Sequence, residues 1–519
     1  MKRSVLLFSF LLFLFSPIAA EEQKRPNIIL VMMDDMGFSD IGCYGGEIHT
    51  PSIDALAQNG VRFSQFYNAA RCTLTRASLL TGLYAHQTGM GHMTWKNHKL
   101  PGYTGSINTS CVTLAEVLKT AGYKTYMAGK WHLVLYKTLE KTEKNWPMQR
   151  GFDQFFGTLK GSGSFFTPES LKRGNAPAEI PEDFYYTDAI ADTTISFIDQ
   201  HAEESPDQPF FCYVAFTAPH WPLHAKKSDI AKYVGKYKDG WDEIRKQRYK
   251  RLGDSGIINS GCKLTPRDEA AATWDGLSKE EQDDLDLRMA IYAAQVDCAD
   301  QGIGRIIDRL KTMDRLDNTL IFFLSDNGAC AEIKEKKEGE LGTDDSFSSY
   351  GLSWANASNT PFREYKHWVH EGGISTPLIV HWPEGISNPG RVSDQLGHVI
   401  DIMATCVDVA GAVYPENHNG NPITPLEGKS LAPAFSNTPA ERGILFWEHE
   451  GNRAVRKNEW KLVSKKNTPW ELYNMVKDRS ELNNLADQHP DRADEMAAAW
   501  KHWAKRCQVL PQPKAKYWR

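Results

Sequence analysis

After its first 20 residues, the sequence has no uninterrupted apolar run of the ~18 residues that a membrane-spanning helix requires. We therefore expect no membrane anchor. The segment Met1–Ala20 is typical of a signal peptide. Its basic end is formed by Lys2 and Arg3, and its apolar stretch, Val5–Phe15, is too short to span a bilayer. These features predict an exported protein, either periplasmic or secreted.

The sequence also lacks an excess of basic residues. Lys and Arg number 60 against 65 Asp and Glu, which gives a formal charge of −5. Such a balance provides no broad positive field, so we expect no nucleic-acid partner. The densest basic run, Arg245–Arg251, is interleaved with Gln and Tyr and is predicted to form a solvated helix face.

Closely spaced cysteine pairs are absent. The nine cysteines are scattered without a Cys-x-x-Cys motif. Their wide spacing also differs from that of a small disulfide scaffold. An oxidising compartment would permit some of them to pair, but the spacing defines no particular pairing.

The apolar runs that are present have the length of buried strands. Asn27–Met33, Phe210–Phe216 and Leu320–Leu324 are continuous apolar runs, as expected for strands covered on both faces. Stretches with helical periodicity lie between them, at Pro51–Asn59, Thr113–Ala121, Thr187–His201 and Leu285–Met313. Strands that alternate with helices predict an α/β fold, with a large mixed sheet sandwiched by helices.

The amino-acid composition of the sequence changes near Asn388. Pro and Gly become frequent, and short strand-like runs follow at 443–448, 458–464 and 470–474, before a helical stretch at 492–507. This pattern predicts a smaller C-terminal antiparallel sheet plus a helix. We therefore divide the chain into a signal peptide (1–20), a main α/β domain (21–387) and a small α+β subdomain (388–519). The polar section Lys226–Asp284 is interpreted as a surface excursion.

Polar side chains follow each predicted strand. Asp34 and Asp35 come directly after the first strand, and Asp326 and Asn327 after the last. Oxygen ligands of this kind suit Ca²⁺ or Mg²⁺. Open α/β sheets place their sites beyond the carboxyl ends of strands, which favours a metal site here. The alternative is that these acidic residues merely end the strands.

Cys72 precedes an apolar helical pattern formed by Ala77, Leu79 and Leu80. This position predicts that Cys72 lies near a helix N-terminus, where backbone N–H groups attract anions. Arg76 follows one turn later and is suitably placed to hold the oxygen or thiolate of a nucleophile. The alternative is a buried structural cysteine.

Two further segments carry cations and imidazoles. Lys130 and His132 follow a strand-like run and are two residues apart, so on an extended segment both point to one side. A fixed cation and a titrating imidazole suit an anionic substrate and proton transfer. His220 lies in a stiff segment between two prolines, and Lys366 precedes a Glu-Gly-Gly sequence. Neither is distinctive alone.

Many ordered segments together resemble the sulfatase family of the alkaline-phosphatase superfamily. The resemblance runs from Pro26 to Asp487, and its middle section, Lys236–Trp274, is most similar to bacterial arylsulfatases. The matching segments are Pro26–Asp35, His49–Asp54, Cys72–Gly82, Thr81–His86, Pro101–Tyr103, Thr113–Leu118, Gly129–Leu133, Ser325–Gly328, Trp470–Asn474 and Glu481–Asp487.

The segment that begins at Cys72 resembles the family signature, Cys or Ser-x-Pro-x-Arg followed by an apolar helix and Thr-Gly. In that family, a maturation enzyme oxidises the cysteine to formylglycine, and the hydrate of this aldehyde is the nucleophile. Leu74 stands where the family has Pro. Because Pro fixes φ and lacks an N–H, this departure bears on how efficiently Cys72 is modified.

The resemblance implies a role for each candidate residue. Arg76 would stabilise the formylglycine hydrate, and His132 would act on its second hydroxyl. His220 and Lys366 would also help the leaving oxygen depart. The implied ligands of Ca²⁺, with Mg²⁺ as an alternative, are Asp34, Asp35, Asp326, Asn327 and modified Cys72. The implied sulfate-binding residues are Lys130, His220 and Lys366.

The implied function is hydrolysis of aryl or carbohydrate sulfate esters, so the expected partners are a sulfated small molecule or saccharide and the maturation enzyme. Two alternatives remain open. One is a phosphonate monoester or phosphodiester hydrolase of the same superfamily. The other is a non-catalytic protein that binds sulfated ligands, which applies if Leu74 leaves Cys72 unmodified.

Overall fold

The computed structural model describes residues 25–337, 339–438 and 440–514. The predicted signal peptide, Met1–Ala20, lies outside the described residues. Within them, no helix combines the length and apolar character needed to cross a lipid bilayer.

Strands are numbered in chain order. They are β1 (Asn27–Met33), β2 (Val61–Phe63), β3 (Phe66–Tyr67), β4 (Lys124–Gly129), β5 (Gln154–Thr158), β6 (Leu171–Arg173), β7 (Ala176–Pro177), β8 (Phe210–Ala215), β9 (Thr319–Ser325), β10 (Glu335–Lys337), β11 (Phe347–Ser348), β12 (Leu378–His381), β13 (Arg391–Ser393), β14 (Gly397–His398), β15 (Asn417–His418), β16 (Asn421–Pro422), β17 (Leu445–His449), β18 (Asn452–Lys457), β19 (Trp460–Ser464) and β20 (Glu471–Asn474).

Helices are numbered in the same way. The α-helices are α1 (Pro51–Gln58), α2 (Cys72–Thr81), α3 (Leu114–Thr120), α4 (Tyr186–Glu204), α5 (Lys227–Ile230), α6 (Gly240–Asp254), α7 (Lys279–Thr312), α8 (Gly351–Ser358), α9 (Glu371–Ile374), α10 (Ile400–Val409), α11 (Ala432–Phe435) and α12 (Pro490–Arg506). Short 3₁₀ helices span Gly42–Tyr44, Ala85–Thr88, Tyr136–Thr138, Pro147–Arg150 and Trp274–Gly276.

A ten-stranded sheet forms the centre of the molecule, in the order β13-β2-β12-β9-β1-β8-β4-β5-β6-β7. The inner strands β9, β1, β8, β4 and β5 are parallel to one another. β12 runs antiparallel to β9 and β2, and β6 and β7 add antiparallel strands at the other side. The sheet is therefore mixed, as predicted.

Both faces of the sheet are covered, which explains why its central strands β1, β8 and β9 consist mostly of apolar residues. Alternate residues of β1 enter two different cores: Ile29, Val31 and Met33 face one, and Ile28, Leu30 and Met32 face the other. The first core is completed by α1, α4 and α7, and the second by α2, α3 and α10. The predicted helix–sheet–helix sandwich is confirmed.

A second, four-stranded antiparallel sheet forms near the C-terminus, in the order β17-β18-β19-β20. The side chains of Trp500 and Trp503 on α12 pack against Val455, Leu462 and Leu472 of this sheet. The predicted small sheet with its helix is confirmed, and β18 is a strand that the sequence pattern did not reveal. The domain division at 387/388 stays a prediction; β13, just beyond it, pairs with β2 of the large sheet.

The structure corrects the interpretation of the basic run. Arg245–Arg251 lies on α6, but Arg248 is fully buried and donates to Asp40 Oδ1 at 2.6 Å and to Glu47 Oε1 at 2.7 Å. Arg245 is also buried and donates to a backbone carbonyl. The predicted solvated face is confirmed for Lys246 and Lys250, which are exposed, but it was wrong for Arg245 and Arg248. Arg248 is buried because acidic partners distant in sequence meet this helix.

The polar section Lys226–Asp284 is more than a surface excursion. Its aromatic side chains Tyr233, Tyr237 and Trp241 are buried in the same core as α1 and α7. All nine cysteines lie in the described ranges and are free thiols in this structure, and all except Cys43 are buried.

Candidate active site

The carboxyl ends of four parallel strands meet at one edge of the large sheet. Because β1, β4, β8 and β9 run in the same direction, the residues that follow them emerge side by side. The sequence-predicted residues placed there are Asp34 and Asp35 after β1, Lys130 and His132 after β4, His220 after β8, and Asp326 and Asn327 after β9.

The oxygen-bearing residues form a buried, hydrogen-bonded group. Asp34, Asp35, Asp326 and Asn327 are at most 1% exposed. Asp35 has a positive φ of 68°, and its N–H donates to Asp326 Oδ1 at 3.2 Å. The side-chain amide of Asn327 donates to Asp35 Oδ1 at 2.7 Å. The group joins two strand ends that are nearly 300 residues apart in sequence.

Each of the three carboxylates lies close to a different cation, and all six side chains are buried. Asp34 Oδ2 also lies 3.7 Å from Arg76. Pairing of this kind is needed because isolated buried charges are costly. The pairs, with their N–O distances, are Arg76 with Asp326 at 2.7 Å, Lys130 with Asp34 at 2.5 Å, and Lys366 with Asp35 at 2.6 Å. The structure thus brings Arg76 and Lys366 to the edge where the strand ends meet.

The group fits a divalent cation bound by oxygen. Asp34 Oδ1 and Asn327 Oδ1 are buried and have no hydrogen-bond partner among the described residues. Ligand atoms of Asp34, Asp35 and His220 all lie within 4.8 Å of one another. Burial and the neighbouring charge of Asp34 raise the pKa of Asp326. A bound cation relieves such crowding of carboxylates, and hard oxygen donors are typical of Ca²⁺ and Mg²⁺ sites.

Cys72 is the first residue of α2 and is 1% exposed. Burial raises the pKa of its thiol, while the charges of Lys130 and Lys366 act in the opposite direction. The net result is a protonated thiol, whereas cysteine nucleophiles react as thiolates. The predicted position at a helix N-terminus is confirmed, and the thiol there is not activated.

His132 differs in one respect from the sequence expectation. The segment after β4 is not extended, because His132 has a φ of 59°. Its imidazole nevertheless lies near the cations: burial, followed by the charge of Lys130, lowers its pKa well below the usual value. Nε2 lies 3.0 Å from the hydroxyl of Tyr136, and Nδ1 has no partner among the described residues.

His220 is held by its own backbone neighbour. Its Nδ1 lies 2.6 Å from the carbonyl oxygen of Trp221, and since that oxygen only accepts, Nδ1 carries the proton. Nε2 consequently faces Asp35, at 3.5 Å from Oδ2. Burial lowers the pKa of His220 to about 3, although the charge of Asp35 opposes this shift.

The sequence of the chain matches the family model for sulfatases over residues 26–412. The chain belongs to the sulfatase family. A second family model, the C-terminal region of N-sulphoglucosamine sulphohydrolase, matches residues 363–505. The resemblance inferred from the motifs is thereby confirmed.

Several known proteins are similar to this sulfatase along most of their length. An uncharacterized sulfatase of Schizosaccharomyces pombe is 36% identical over 539 residues, which covers 95% of this chain and 96% of the relative. An arylsulfatase of Klebsiella aerogenes is 35% identical over 441 residues, which covers 80% and 92% respectively. These relatives identify the chain as an enzyme that hydrolyses sulfuric esters.

Among solved structures, Ps i-CgsB in complex with k-i-k-neocarrahexaose superposes with a TM-score of 0.68. Its sequence is 25% identical, and the match covers 94% of this chain and 98% of the other. The fold predicted from the sequence is therefore shared with this protein of known structure.

Some residues at the site could not be found from the sequence. One of them is Tyr213, in the middle of β8, whose hydroxyl accepts a hydrogen bond from Arg76 at 3.3 Å. Tyr136 orients His132, and it also accepts a hydrogen bond from the N–H of Gly161 at 2.8 Å. A Cβ at residue 161 would lie 2.0 Å from His132 Cε1, so only glycine fits. These residues stand in no motif, and no sequence signal marks them.

Proposed function

We propose that this sulfatase hydrolyses sulfate esters of saccharides, and that formylglycine made from Cys72 is its nucleophile. The observation that carries the proposal is the state of Cys72. The residue lies beside Lys130 and Lys366, where an anionic ester would bind, yet burial keeps its thiol protonated. A protonated thiol is a poor nucleophile, whereas oxidation of Cys72 to formylglycine would place the hydroxyls of its hydrate at the same position.

The hydrate of formylglycine would supply two hydroxyls. One would bond to sulfur as the ester oxygen leaves, and deprotonation of the other would re-form the aldehyde as sulfate leaves. Arg76 would hold the attacking oxygen, since its guanidinium already lies among the carboxylates. Lys130, Lys366 and His220 would bind the sulfate oxygens and stabilise the negative charge that develops on them. When the anionic ester is bound, its negative charge would raise the basicity of His220, so that Nε2, the nitrogen that does not contact Trp221, would take up a proton from solvent and then donate it to the leaving oxygen.

His132 would accept the proton from the second hydroxyl. A general base must be uncharged before it acts, and the lowered pKa of His132 keeps the imidazole neutral near pH 7. The proposal places the imidazole proton on Nε2, which would donate it to the hydroxyl of Tyr136 and leave Nδ1 as the accepting atom. Tyr136 would therefore fix the orientation and tautomer of the base.

We propose Ca²⁺ as the ion. Asp34, Asp35, Asp326 and Asn327 offer only oxygen donors, and Ca²⁺ tolerates the irregular geometry of such a set better than Mg²⁺ does. Bound there, the ion would supply electrostatic stabilisation to the anionic ester. Modified Cys72 would lie close enough to complete the ligands, since the charges of Asp326 and Asp34 both act on it.

Two findings support a saccharide substrate. The C-terminal family model belongs to an enzyme named for N-sulphoglucosamine, and one similar structure contains a neocarrahexaose. The Klebsiella relative, an arylsulfatase, suggests that small aryl sulfates would be turned over as well. Trp95, which is 50% exposed, is available to stack on a sugar ring.

The mass of the peptide that contains Cys72 tests the nucleophile. The chain would be produced with and without a formylglycine-generating enzyme, and the peptide compared by mass spectrometry. Oxidation replaces the thiol with an aldehyde oxygen, so the peptide becomes lighter. We expect the lighter peptide and aryl sulfatase activity to rise together. Hydrolysis by a preparation containing only the thiol would refute the proposal, and sulfate binding without hydrolysis would indicate the non-catalytic alternative.

Relative turnover tests the reaction class. Aryl sulfate, aryl phosphonate monoester and phosphodiester substrates with the same leaving group would be compared by kcat/KM. We expect the sulfate ester to be preferred, because the family model and the arylsulfatase relative both favour sulfate esters. The three substrates carry the same single negative charge, so total charge does not separate them. A preference for the phosphonate would favour the other superfamily activity.

We also propose that the chain is exported through the segment Met1–Ala20, to the periplasm or the medium. Its basic end and short apolar stretch support this. Cell fractionation, combined with N-terminal sequencing of the recovered protein, tests it. Recovery of the intact N-terminus in the cytoplasm would contradict export.

A further inference from the structure

A second cluster of potential metal ligands lies outside the residues described above. It consists of His367, His449 and Glu450, whose ligand atoms all lie within 4.8 Å of one another. His449 is the last residue of β17, and Glu450 occupies the tight turn into β18. His367 comes from a different part of the chain, directly after Lys366. The cluster is therefore assembled by the contact between the large domain and the C-terminal sheet.

The carboxylate of Glu450 lies close to the imidazole nitrogens of three histidines. Its Oε2 lies 3.1 Å from His367 Nδ1, and its Oε1 lies 3.0 Å from His92 Nε2 and 3.8 Å from His449 Nε2. The rings of His367 and His449 are 5.2 Å apart. The imidazoles of His367 and His449 and the carboxylate of Glu450 are thus close enough to one another to bind a single ion.

His449 supplies an independent observation that points to a ligand. It is fully buried, and neither of its ring nitrogens has a hydrogen-bond partner among the described residues. Leaving a buried polar group without a partner costs about 1–3 kcal/mol. The hydrogen bonds around Glu450 do not include His449, so that network alone does not account for its position.

We propose that His367, His449 and Glu450 bind a divalent transition-metal ion of the zinc class. Two imidazoles and one carboxylate form a common zinc donor set, in which the fourth position is open to water or a substrate oxygen. This site differs chemically from the oxygen site at Asp34 and Asp326, which suits Ca²⁺ or Mg²⁺. The proposal does not depend on the formylglycine mechanism.

The cluster is accessible and lies near the sulfate-binding residues. The side chains of His367 and Glu450 are 27% and 13% exposed, so an ion can reach them from solvent. The N–H of His367 donates to the carbonyl of Ala70 at 2.9 Å, two residues before Cys72. His367 also has a φ of 92°, a conformation that is costly for histidine and that is often retained at ligand sites. The ion would therefore sit at the rim of the active site.

Zinc binding would be measured on the purified full chain. After removal of metals with a chelator, the protein would be saturated with Ca²⁺ to fill the oxygen site, and then titrated calorimetrically with Zn²⁺. We expect one equivalent of Zn²⁺ to bind with a micromolar or lower Kd. Cobalt substitution should give the visible absorption of a site with nitrogen ligands.

Variants locate the ion. His449→Gln and Glu450→Gln should each weaken Zn²⁺ binding at least tenfold. The matched control is His502→Gln, which removes an exposed histidine on α12 and should leave binding unchanged. If His449→Gln fails to fold, the test depends on Glu450→Gln, because the Glu450 side chain is partly exposed and its replacement should not prevent folding.

Three results would overturn the proposal: no Zn²⁺ uptake beyond the Ca²⁺-filled site, equal uptake by the wild type and both variants, or a loss of binding in the control. Weaker binding of sulfated saccharide by the variants, without any Zn²⁺ uptake by the wild type, would also overturn it and would make the cluster a substrate-binding surface.

Discussion

Lys461 of β19 places its ammonium 2.8 Å from Oε1 of Glu371, and both side chains are fully shielded from solvent. The same ammonium lies 2.8 Å from Glu481 Oε1. Glu371 begins α9, five residues after the proposed sulfate-binding Lys366. This ion pair therefore connects the C-terminal sheet to the segment that carries part of the active site.

Removal of the cation should destabilise the protein strongly. Lys461→Met leaves Glu371 and Glu481 buried with one cation fewer, and breaking a buried pair in this way costs about 3–5 kcal/mol. We expect a lower melting temperature and a lower denaturant midpoint, measured by circular dichroism. Arg479, which also contacts Glu371 at 3.0 Å, should prevent complete unfolding.

Lys457→Met is the matched control for this change. Lys457 lies on the neighbouring strand β18 and pairs with Glu495 at 2.6 Å, but its side chain is 42% exposed. Exposed ion pairs contribute little to stability. An equal loss of stability in both variants would show that the buried Lys461 pair contributes no more to stability than the exposed Lys457 pair.

The same pair predicts a dependence of stability on pH. Burial by itself would raise the pKa of Glu371, but the charges of Lys461 and Arg479 hold it well below the usual value. Since the folded-state pKa is lowered, the stabilisation is complete above the unfolded value of about 4.3 and is lost as the pH falls below it.

Urea unfolding of wild type and Glu371→Gln at several pH values measures this effect. We expect the variant to be less stable at pH 7, by about 2 kcal/mol or more, and the difference to shrink as the pH falls from about 4.5 towards 2. A difference that stays constant over this range would mean that Glu371 does not titrate as the structure indicates.

The leaving-group dependence of a His220 variant tests the proposed proton donor. His220→Ala should lower kcat about a hundred- to ten-thousand-fold, the usual contribution of general acid–base catalysis. The loss should be larger for an alkyl or saccharide sulfate than for a nitrophenyl sulfate, whose phenolate leaves without a proton. His502→Ala serves as the control. Equal losses with both substrates would assign His220 to sulfate binding alone.

The convergence of the strand ends could be predicted from the sequence. Residues 28–33 and 320–324 are all apolar, which favours strands that are buried on both faces. In a parallel sheet, such strands bring Asp34 and Asp326 to one edge. Cys72 could be placed at a helix start because the apolar periodicity begins just after it. These inferences depend on local pattern and a general rule of α/β sheets.

Other features depend on tertiary contacts that no local pattern encodes. Arg248 belongs to a strongly basic run, and only the approach of Asp40 and Glu47 makes its burial possible. His367 and His449 are separated by 82 positions in the chain and meet only because the C-terminal sheet packs beside the active site. The turn at His132 likewise reflects the packing of Gly161 and Tyr136 around its ring.

The departure at Leu74 leads to the last prediction. Leu74 is the third residue of α2, where the backbone N–H has no acceptor within the helix. Proline is tolerated in the first helical turn for that reason. Leu74→Pro should therefore keep the fold, at a cost of about 2 kcal/mol for the lost packing of a side chain that is 1% exposed.

Because the variant restores the family signature, it should raise the fraction of Cys72 that is converted to formylglycine during co-expression with the maturation enzyme. Peptide mass spectrometry gives that fraction, and aryl sulfate hydrolysis gives the activity. Activity per converted site should equal that of the wild type, since the N–H that proline removes has no acceptor within α2. Leu74→Ala controls for the lost side chain. If the proline and alanine variants are converted to the same extent as the wild type, Leu74 does not limit maturation, and its presence at this position reflects packing alone.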